Sequence, residues 1–415
     1  MQSATDARGT QLVTRRAGLA IVGGAVVVFL AACAAARGGF FSSADPGDVG
    51  RYHDFAQLMR HGSLPYRDFY MEYPPGAVPA FLAPLALSAI AHYNLAFKFT
   101  VAVAGVALVV ACATVLRLLD ASRATMLVTL VIVGTAPAAL GAVVLNRYDL
   151  WPALISILAL AALLADRPRL GFGLLAVGVL VKIYPLVVLP VAAIHVYRTG
   201  GRAVLVGAVK VFCIVAVVLV APFALLAPGG LGYSVYTQTI RHLQLESLAA
   251  SVLLAADSVG VYTARIIPGK PGSLDLSGTL PNTLGVLTLL LFVAAFAAVL
   301  LAYWRAEESK ETLVLGATAS VAAFVAFSKV ISPQFLIWLV PLVPLAARRI
   351  GLLASSLLFA ALVATQVEVV YEHPLRAFEW PVWVLLLRNA ILVALFVVLL
   401  LALRARAAAR AVVPR

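Results

Sequence analysis

Acidic and basic side chains are rare in this sequence, and most of those away from its ends fall near one predicted face. The chain has 415 residues, of which 63% are apolar and only 12% are charged. A charge in or beside a long apolar run is costly, so its position is informative. A mixture of acids and bases at one depth predicts a cavity that binds an anionic ligand and also needs a carboxylate.

Asp48 opens a predicted amphipathic helix, and its carboxylate has two candidate roles. It could cap the helix by accepting hydrogen bonds from the first backbone N–H groups. It could instead act as a general base at the mouth of a membrane cavity, where partial desolvation makes a carboxylate a stronger base. Asp45 is a weaker candidate for either role.

The segment after this helix is dense in Tyr and carboxylate side chains, which hydrogen-bond to sugars and stack on them. It contains GSLPYRDF from Gly62 to Phe69 and EYPPG from Glu72 to Gly76. The candidate sugar-binding residues are Tyr66, Arg67, Asp68, Glu72 and Tyr73. The alternative is an ordered surface loop in which Arg67 pairs with Asp68 or Glu72.

Three basic residues lie beside or within apolar runs. Arg147 and Asp149, in NRYD, are candidate binding residues, because Arg147 offers a planar fork for phosphate oxygens; the alternative is that the two pair at a membrane interface. Lys182, in VKIYP, has a neighbouring proline that predicts broken helices meeting at a site. Lys329, in SKVISPQ, has the same character. For both lysines, phosphate binding competes with snorkelling to the interface.

A further polar run, RHLQLES, extends from Arg241 to Ser247. It predicts either a binding segment or a solvated helix face. Its candidate binding residues are Arg241, His242, Gln244 and Glu246. Gln334, at the end of SKVISPQ, is a further candidate. The three cysteines lie in apolar runs without CxxC spacing, and the histidines show no ligand spacing, so we expect neither a disulfide nor a metal site and no cofactor.

Leu, Ala and Val fill many runs close to the 20 or so residues that cross a hydrocarbon core, which predicts an all-α polytopic membrane protein. We expect one integral membrane domain over residues 1–415, with about twelve spans. The predicted spans are 17–36, 94–119, 124–143, 148–165, 170–183, 185–197, 203–226, 283–304, 312–328, 335–347, 350–370 and 382–403. The apolar stretch 77–91 is too short for a span and predicts a re-entrant or interfacial helix.

The net charge of +13 comes from 31 Lys and Arg, which form no basic stripe, so nucleic acid is not an expected partner. Most of these residues flank the spans on one side, which places that side and both termini in the cytoplasm. The first span is expected to be a signal anchor, although it resembles a cleavable signal. Two long external loops, 37–76 and 227–282, then place the chemistry on the outer face of the plasma membrane, and the first loop carries the amphipathic helix 49–60.

These segments together resemble the polyprenyl-phosphate-sugar-dependent glycosyltransferases of the membrane C-fold, and among them family 87, which includes actinobacterial mannosyltransferases. The resemblance covers most of the chain. It rests on the order and spacing of Asp48 with Tyr52, the segment 62–76, and four further segments. Those are Asn146 to Pro152, Lys182 to Pro190, Arg241 to Ser247 and Ser328 to Pro341 (SKVISPQFLIWLVP).

The resemblance implies an inverting displacement. An acidic residue of the first external loop, which Asp48 matches best, would take the proton of an acceptor hydroxyl. That hydroxyl would attack the anomeric carbon of a sugar, mannose or alternatively arabinose, carried on polyprenyl phosphate. The sequence lacks the Asp-x-Asp motif of some relatives, so no metal is expected. The implied partners are the lipid-linked donor, a glycolipid or glycan acceptor and the bilayer, with Tyr52 among the binding residues.

Three other functions remain open at this point. A secondary transporter would share the twelve spans and the broken helix at Lys182, but no second copy of that segment is found. An oligosaccharide polymerase or ligase would use a diphosphate carrier at a similar site. A non-catalytic scaffold is the third alternative.

Overall fold

A computed structural model describes residues 2–38, 47–269, 273–346, 350, 352–370 and 380–412. Asp45 lies outside these residues. The described part is a bundle of helices, with the bounds α1 Gln2–Gly38, α2 Val49–Arg60, α3 Val78–Leu82, α4 Tyr93–Leu118, α5 Arg123–Leu140, α6 Val143–Asn146, α7 Leu150–Leu164, α8 Pro168–Val181, α9 Leu189–Leu226, α10 Pro228–Thr239, α11 Leu248–Ser258, α12 Thr279–Arg305, α13 Lys310–Phe327, α14 Leu336–Ala346, α15 Leu353–Val370 and α16 Pro381–Val412.

Four short 3₁₀ segments break the described helices where the chain changes direction: Pro75–Ala77, Ala83–Leu87, Tyr184–Val188 and Pro333–Phe335. Proline stands at or near the start of each, where its missing N–H is not needed by the helix. The stretch 77–91 thus folds as short broken helices, as expected, and its position in the bilayer stays a prediction.

Seven helices of the described chain are long and apolar enough to cross a membrane, and six apolar helices are shorter. The protein is therefore a polytopic membrane protein, because helices satisfy their backbone polar groups where no water can. Every predicted span coincides with one of these helices, whereas the count of twelve stays a prediction.

α9 has 38 residues, which corresponds to about 57 Å of helix and almost twice the thickness of a hydrocarbon core. Its regularity breaks at Gly201, where φ is 76°. That left-handed conformation suits glycine. The two halves match the two separate spans expected at 185–197 and 203–226.

The bundle has a buried centre and a lipid-facing side. α13 and α14 are buried nearly throughout, and α13 is rich in Ala, Gly, Ser and Thr, the small residues that let helices approach closely. A Cβ at Gly316 would lie 2.6 Å from the ring of Tyr303 on α12. α9 and α12 instead expose apolar side chains such as Val217 and Leu290, as lipid contact requires.

α2 forms where the amphipathic helix was expected, but its apolar face packs on protein. Val49, Tyr52, Phe55 and Ala56 are buried. The Tyr52 ring stacks on Phe81 at 4.7 Å between centroids. The amphipathic pattern of this helix predicts a position on the membrane surface. In the structure α3 and α4 supply aromatic side chains that cover its apolar face, so this face contacts protein, and the position of the helix relative to the bilayer stays a prediction.

Three short strands were not expected in an all-α protein: β1 Leu243–Gln244, β2 Ile266–Pro268 and β3 Leu274–Leu276. They form an antiparallel sheet in the order β1-β3-β2. The sheet packs with α11 and the start of α16 around a second apolar cluster that includes Leu254, Leu276 and Leu385. It holds the polar run after Arg241 against the end of the bundle.

Candidate active site

One cavity of about 910 Å³ lies at the end of the bundle where several helices start or stop. Its walls come from the start of α2, the α6–α7, α8–α9 and α13–α14 connections, and the sheet. It brings together most of the predicted site residues: Asp48, Tyr66, Glu72, Tyr73, Arg147, Lys182, Arg241, Gln244, Glu246, Lys329 and Gln334.

Five predicted site residues do not line this cavity. Tyr52 is buried beneath it, and Asp149 has no exposed side-chain surface. Arg67 and Asp68 form an exposed ion pair with 2.9 Å between Arg67 Nη2 and Asp68 Oδ2. His242 is exposed and lies 3.3 Å from Asn282. The surface-loop alternative thus holds for Arg67 and Asp68, since their side chains satisfy each other.

Asp48 precedes α2 but makes no capping hydrogen bond to its backbone. The capping alternative is therefore wrong in this structure. The carboxylate instead forms an ion pair with Arg147 and accepts a hydrogen bond from the Tyr73 hydroxyl at 3.2 Å. Asp48 is partly exposed to the cavity, where a ligand hydroxyl could reach it.

Asp149 does not pair with Arg147, so that predicted interfacial ion pair is wrong. Arg147 lies on extended backbone after α6, whereas Asp149 has helical backbone angles directly before α7. The two side chains therefore have different partners. The Asp149 carboxylate lies 2.7 Å from Lys182 Nζ and accepts a hydrogen bond from Trp338 Nε1 at 2.8 Å. Asp149 thus lies behind the cavity wall and contacts two residues that line it, Lys182 and Trp338.

Trp338 lines the cavity but was not among the predicted site residues, because it lies in the apolar run FLIWLVP and looks like ordinary core. Its ring is sandwiched between Tyr184 at 4.2 Å and Phe335 at 4.1 Å between centroids. The Lys182 ammonium lies 4.8 Å from the centre of the Tyr148 ring. Such contacts stabilise a cation that burial would otherwise disfavour.

Two more carboxylates of the cavity have basic partners. Glu72 lies 2.9 Å from Arg51 of α2. Glu246 is held by Arg388 of α16, which is fully buried, donates to the Glu246 carbonyl at 3.0 Å and lies 4.0 Å from its carboxylate. The last helix of the bundle therefore shapes the cavity through Glu246.

Tyr66, in the segment between α2 and α3, packs against α10. Its φ of 68° is unusual for a residue other than glycine. The Tyr66 hydroxyl donates to the carbonyl of Tyr73 at 2.5 Å, and the Tyr66 carbonyl lies directly against Gly230, where any Cβ would overlap it. The glycine is thus required by a close backbone approach.

Arg241 and Lys329 differ from the other cations of the cavity, because neither forms an ion pair with a described residue. The buried Nε of Arg241 has no hydrogen-bond partner in the described part of the chain, and Lys329 donates only to the Thr239 carbonyl at 3.2 Å. Burial lowers the pKa of Lys329, and the charge of Arg241 lowers it further. The buried Asp275 carboxylate acts in the opposite direction on both residues, but it lies beyond ion-pairing distance of either. Two cations side by side without an ion-pair partner among the described residues favour an anionic ligand.

Comparison with known proteins places the chain in a family. The model of glycosyltransferase family 87 matches residues 70–333, which is more than half of the chain. The chain belongs to glycosyltransferase family 87. No curated protein matches it. Family 87 membership confirms the resemblance predicted from the sequence and makes this membrane protein a glycosyltransferase, in place of a transporter or a scaffold.

The family 87 match includes most of the cavity residues, from Glu72 to Lys329. Asp48, Gln334 and Trp338 lie outside it. Among the described residues, no three His, Cys, Asp or Glu side chains come together as metal ligands.

Proposed function

We propose that this family 87 glycosyltransferase moves a sugar, mannose, from a polyprenyl-phosphate donor to a hydroxyl group of a cell-envelope glycolipid or glycan. The reaction inverts the anomeric carbon and takes place at the outer face of the plasma membrane. The observation that carries this proposal is the pairing pattern of one cavity. This cavity contains a carboxylate accessible to a ligand, two cations without an ion-pair partner among the described residues, and an apolar side.

The apolar side of the cavity suits a polyprenyl chain. It is lined by Leu231 and Val235 of α10, Leu289 and Phe292 of α12, and Phe324 of α13. Val235 and Leu289 are also 62% and 52% exposed, so the cavity reaches the outer surface of the bundle there. Because α12 exposes apolar residues along its length, this opening faces lipid. A lipid-linked sugar can enter sideways from the bilayer.

The charged side of the cavity suits an inverting displacement. Attacking and leaving oxygens lie on opposite sides of the anomeric carbon, so the base and the phosphate ligands occupy different places. Asp48, with its partners Arg147 and Tyr73, forms the base side. Arg241 and Lys329 form the phosphate side, because they alone among the cavity cations of the described chain lack a carboxylate partner within ion-pairing distance.

The movements of the proton and of the bonding electron pairs during the reaction follow from this arrangement. Asp48 takes the proton of the acceptor hydroxyl as its oxygen forms a bond to the anomeric carbon. The bond between that carbon and the phosphate oxygen breaks, and its electron pair leaves with the polyprenyl phosphate. Arg241 and Lys329 stabilise the negative charge that grows there. Asp48 then releases its proton to solvent.

The outer-face location rests on the charge distribution. Connections at the opposite end of the bundle are short and basic, for example Arg167 between α7 and α8 and Arg305 after α12. By the positive-inside rule that end is cytoplasmic. The cavity then opens on the outer side.

The test is transfer of radiolabel from purified polyprenyl-phosphate mannose to endogenous membrane acceptors. We expect Asp48→Asn to lower the transfer rate by about 100-fold or more, the range associated with loss of a general base. Asp54→Asn is the matched control, because Asp54 lies on the same helix but is exposed and outside the cavity.

Wild-type rates in Asp48→Asn, or equal losses in both variants, would contradict the role of Asp48. If the wild-type protein transfers no mannose, the same assay with a polyprenyl-phosphate pentose tests the arabinose alternative. Failure with both donors would overturn the proposed donor class.

A further inference from the structure

Beneath the cavity lies a buried cluster that the proposed reaction does not yet use. Asp149 has no exposed side-chain surface, while its partner Lys182 retains 13% and lines the cavity. Lys182 Nζ lies 2.7 Å from Asp149 Oδ1 and 2.9 Å from Oδ2. A ligand in the cavity can thus contact the Lys182 side chain but not the Asp149 carboxylate.

Four aromatic residues surround this ion pair. Trp338 Nε1 donates to Asp149 Oδ1 at 2.8 Å, and its ring is locked between Tyr184 and Phe335. The Lys182 ammonium lies 4.8 Å from the ring centre of Tyr148 and 5.6 Å from that of Trp338. A flexible lysine side chain is therefore held in one place by a carboxylate that is itself held.

We infer that Asp149 is a positioning residue for sugar transfer: it holds the Lys182 ammonium at the cavity wall, where Lys182 donates a hydrogen bond to an oxygen of the bound sugar phosphate. This inference rests on the proposed function for the identity of the ligand. Asp149 acts only through Lys182, because it does not reach the cavity itself.

The charges distinguish this role from simple attraction of an anion. Lys182 and Asp149 together are neutral, so the pair adds a directed hydrogen bond without net charge. Arg241 and Lys329 supply the net positive charge of the cavity. Removing the Asp149 charge therefore leaves the anionic donor at least as strongly attracted, while it frees the ammonium to move.

The experiment compares Asp149→Asn, Lys182→Met and the double variant in the polyprenyl-phosphate mannose assay. The asparagine keeps the size of Asp149 and an acceptor for Trp338. We expect Asp149→Asn to lower kcat at least tenfold while the donor KM stays within threefold of wild type or falls. The double variant should be no slower than Lys182→Met, because residues that act through each other are not additive.

Additive losses in the double variant, or a donor KM that rises with kcat unchanged, would overturn the inference. Should Asp149→Asn fail to fold, Trp338→Phe replaces it. This variant keeps an aromatic ring, removes the hydrogen bond to Asp149 and should lower kcat with the donor KM unchanged. A wild-type kcat in that variant would count against the inference.

A second measurement does not depend on sugar transfer. Purified wild-type and Asp149→Asn proteins are acylated with a water-soluble succinimidyl ester, and modification of Lys182 is measured by peptide mass spectrometry relative to Lys329 in the same cavity. We expect the ratio to rise at least threefold in Asp149→Asn. An unchanged ratio overturns the positioning role, whereas absence of transfer by the wild-type protein overturns only the proposed function.

Discussion

Arg241 and Lys329, which have no ion-pair partner among the described residues, allow a quantitative prediction of donor affinity. Replacing Arg241 by Gln removes a charged donor and leaves a shorter, neutral one. A hydrogen bond to a charged group contributes about 1.5–3 kcal/mol, and about 1.4 kcal/mol corresponds to a factor of ten. We therefore expect Arg241→Gln to raise the donor KM by roughly 10- to 100-fold.

Lys329→Gln should have a smaller effect, roughly three- to tenfold, because this lysine is partly exposed and already donates to the Thr239 carbonyl. The assay is the initial rate of transfer over a range of polyprenyl-phosphate mannose concentrations, at low and high salt. Since solvent ions screen charges, the wild-type KM should rise with salt, and the KM of the Arg241→Gln and Lys329→Gln double variant should respond less.

Arg60→Gln provides the control. Arg60 is the last residue of α2, and it is exposed and does not line the cavity. Its replacement should leave the donor KM within twofold of wild type. An unchanged donor KM in Arg241→Gln, or the same increase in Arg60→Gln, would refute the assignment of the phosphate to Arg241 and Lys329.

Two further predictions concern residues outside the cavity. Arg67→Ala should change kcat and the donor KM by less than twofold in the transfer assay: hydrogen bonds from Arg67 and the Leu64 backbone hold the pKa of Asp68 at about 2, and neither side chain of that exposed pair lines the cavity. Glu308→Gln should lower the melting temperature of the detergent-solubilised protein without changing the donor KM, because Glu308 lies 2.8 Å from His195 Nδ1 and 3.3 Å from Arg198 Nη1. Melting at the wild-type temperature would contradict the latter.

The sequence predicted the helices and the gathering of charges well, for one physical reason. Apolar runs must become helices in a bilayer, and charges within them are tolerated only where they share a polar cavity. Glu72, Arg147, Lys182 and Lys329 belong to four separate segments, yet all line the same cavity. Their common depth in the predicted membrane was enough to bring them together.

The pairing of those charges could not be predicted. Arg147 and Asp149 are two residues apart and of opposite sign, which favours a local ion pair. In the structure Arg147 instead pairs with Asp48, and Asp149 pairs with Lys182. The backbone changes from extended at Arg147 to helical at Asp149, which turns the two side chains in different directions. Such a choice depends on tertiary contacts that a local pattern does not contain.

Two other features left no usable signal. Trp338 lies in an apolar run, where nothing distinguishes a tryptophan that supports a carboxylate from one that only fills the core. The strands are two or three residues long, too short to show the alternation of polar and apolar residues that marks a strand. Both features depend on neighbours that are distant in sequence.

The shortness of α7 and α8 has a consequence for the lipid. With 15 and 14 residues, these helices extend about 22 Å, roughly 8 Å less than a hydrocarbon core, and one end of each lies beside the ion pair of Asp149 and Lys182 beneath the cavity. In a bilayer of ordinary thickness, helices of this length whose other ends lie at the opposite interface would place the floor of the cavity below the headgroup level. Lifting isoprene units into water would cost about 0.8 kcal/mol for each methylene exposed. For the lipid-linked donor proposed above, a recessed floor would avoid that cost, since the sugar phosphate would meet its ligands while its tail stays among the acyl chains.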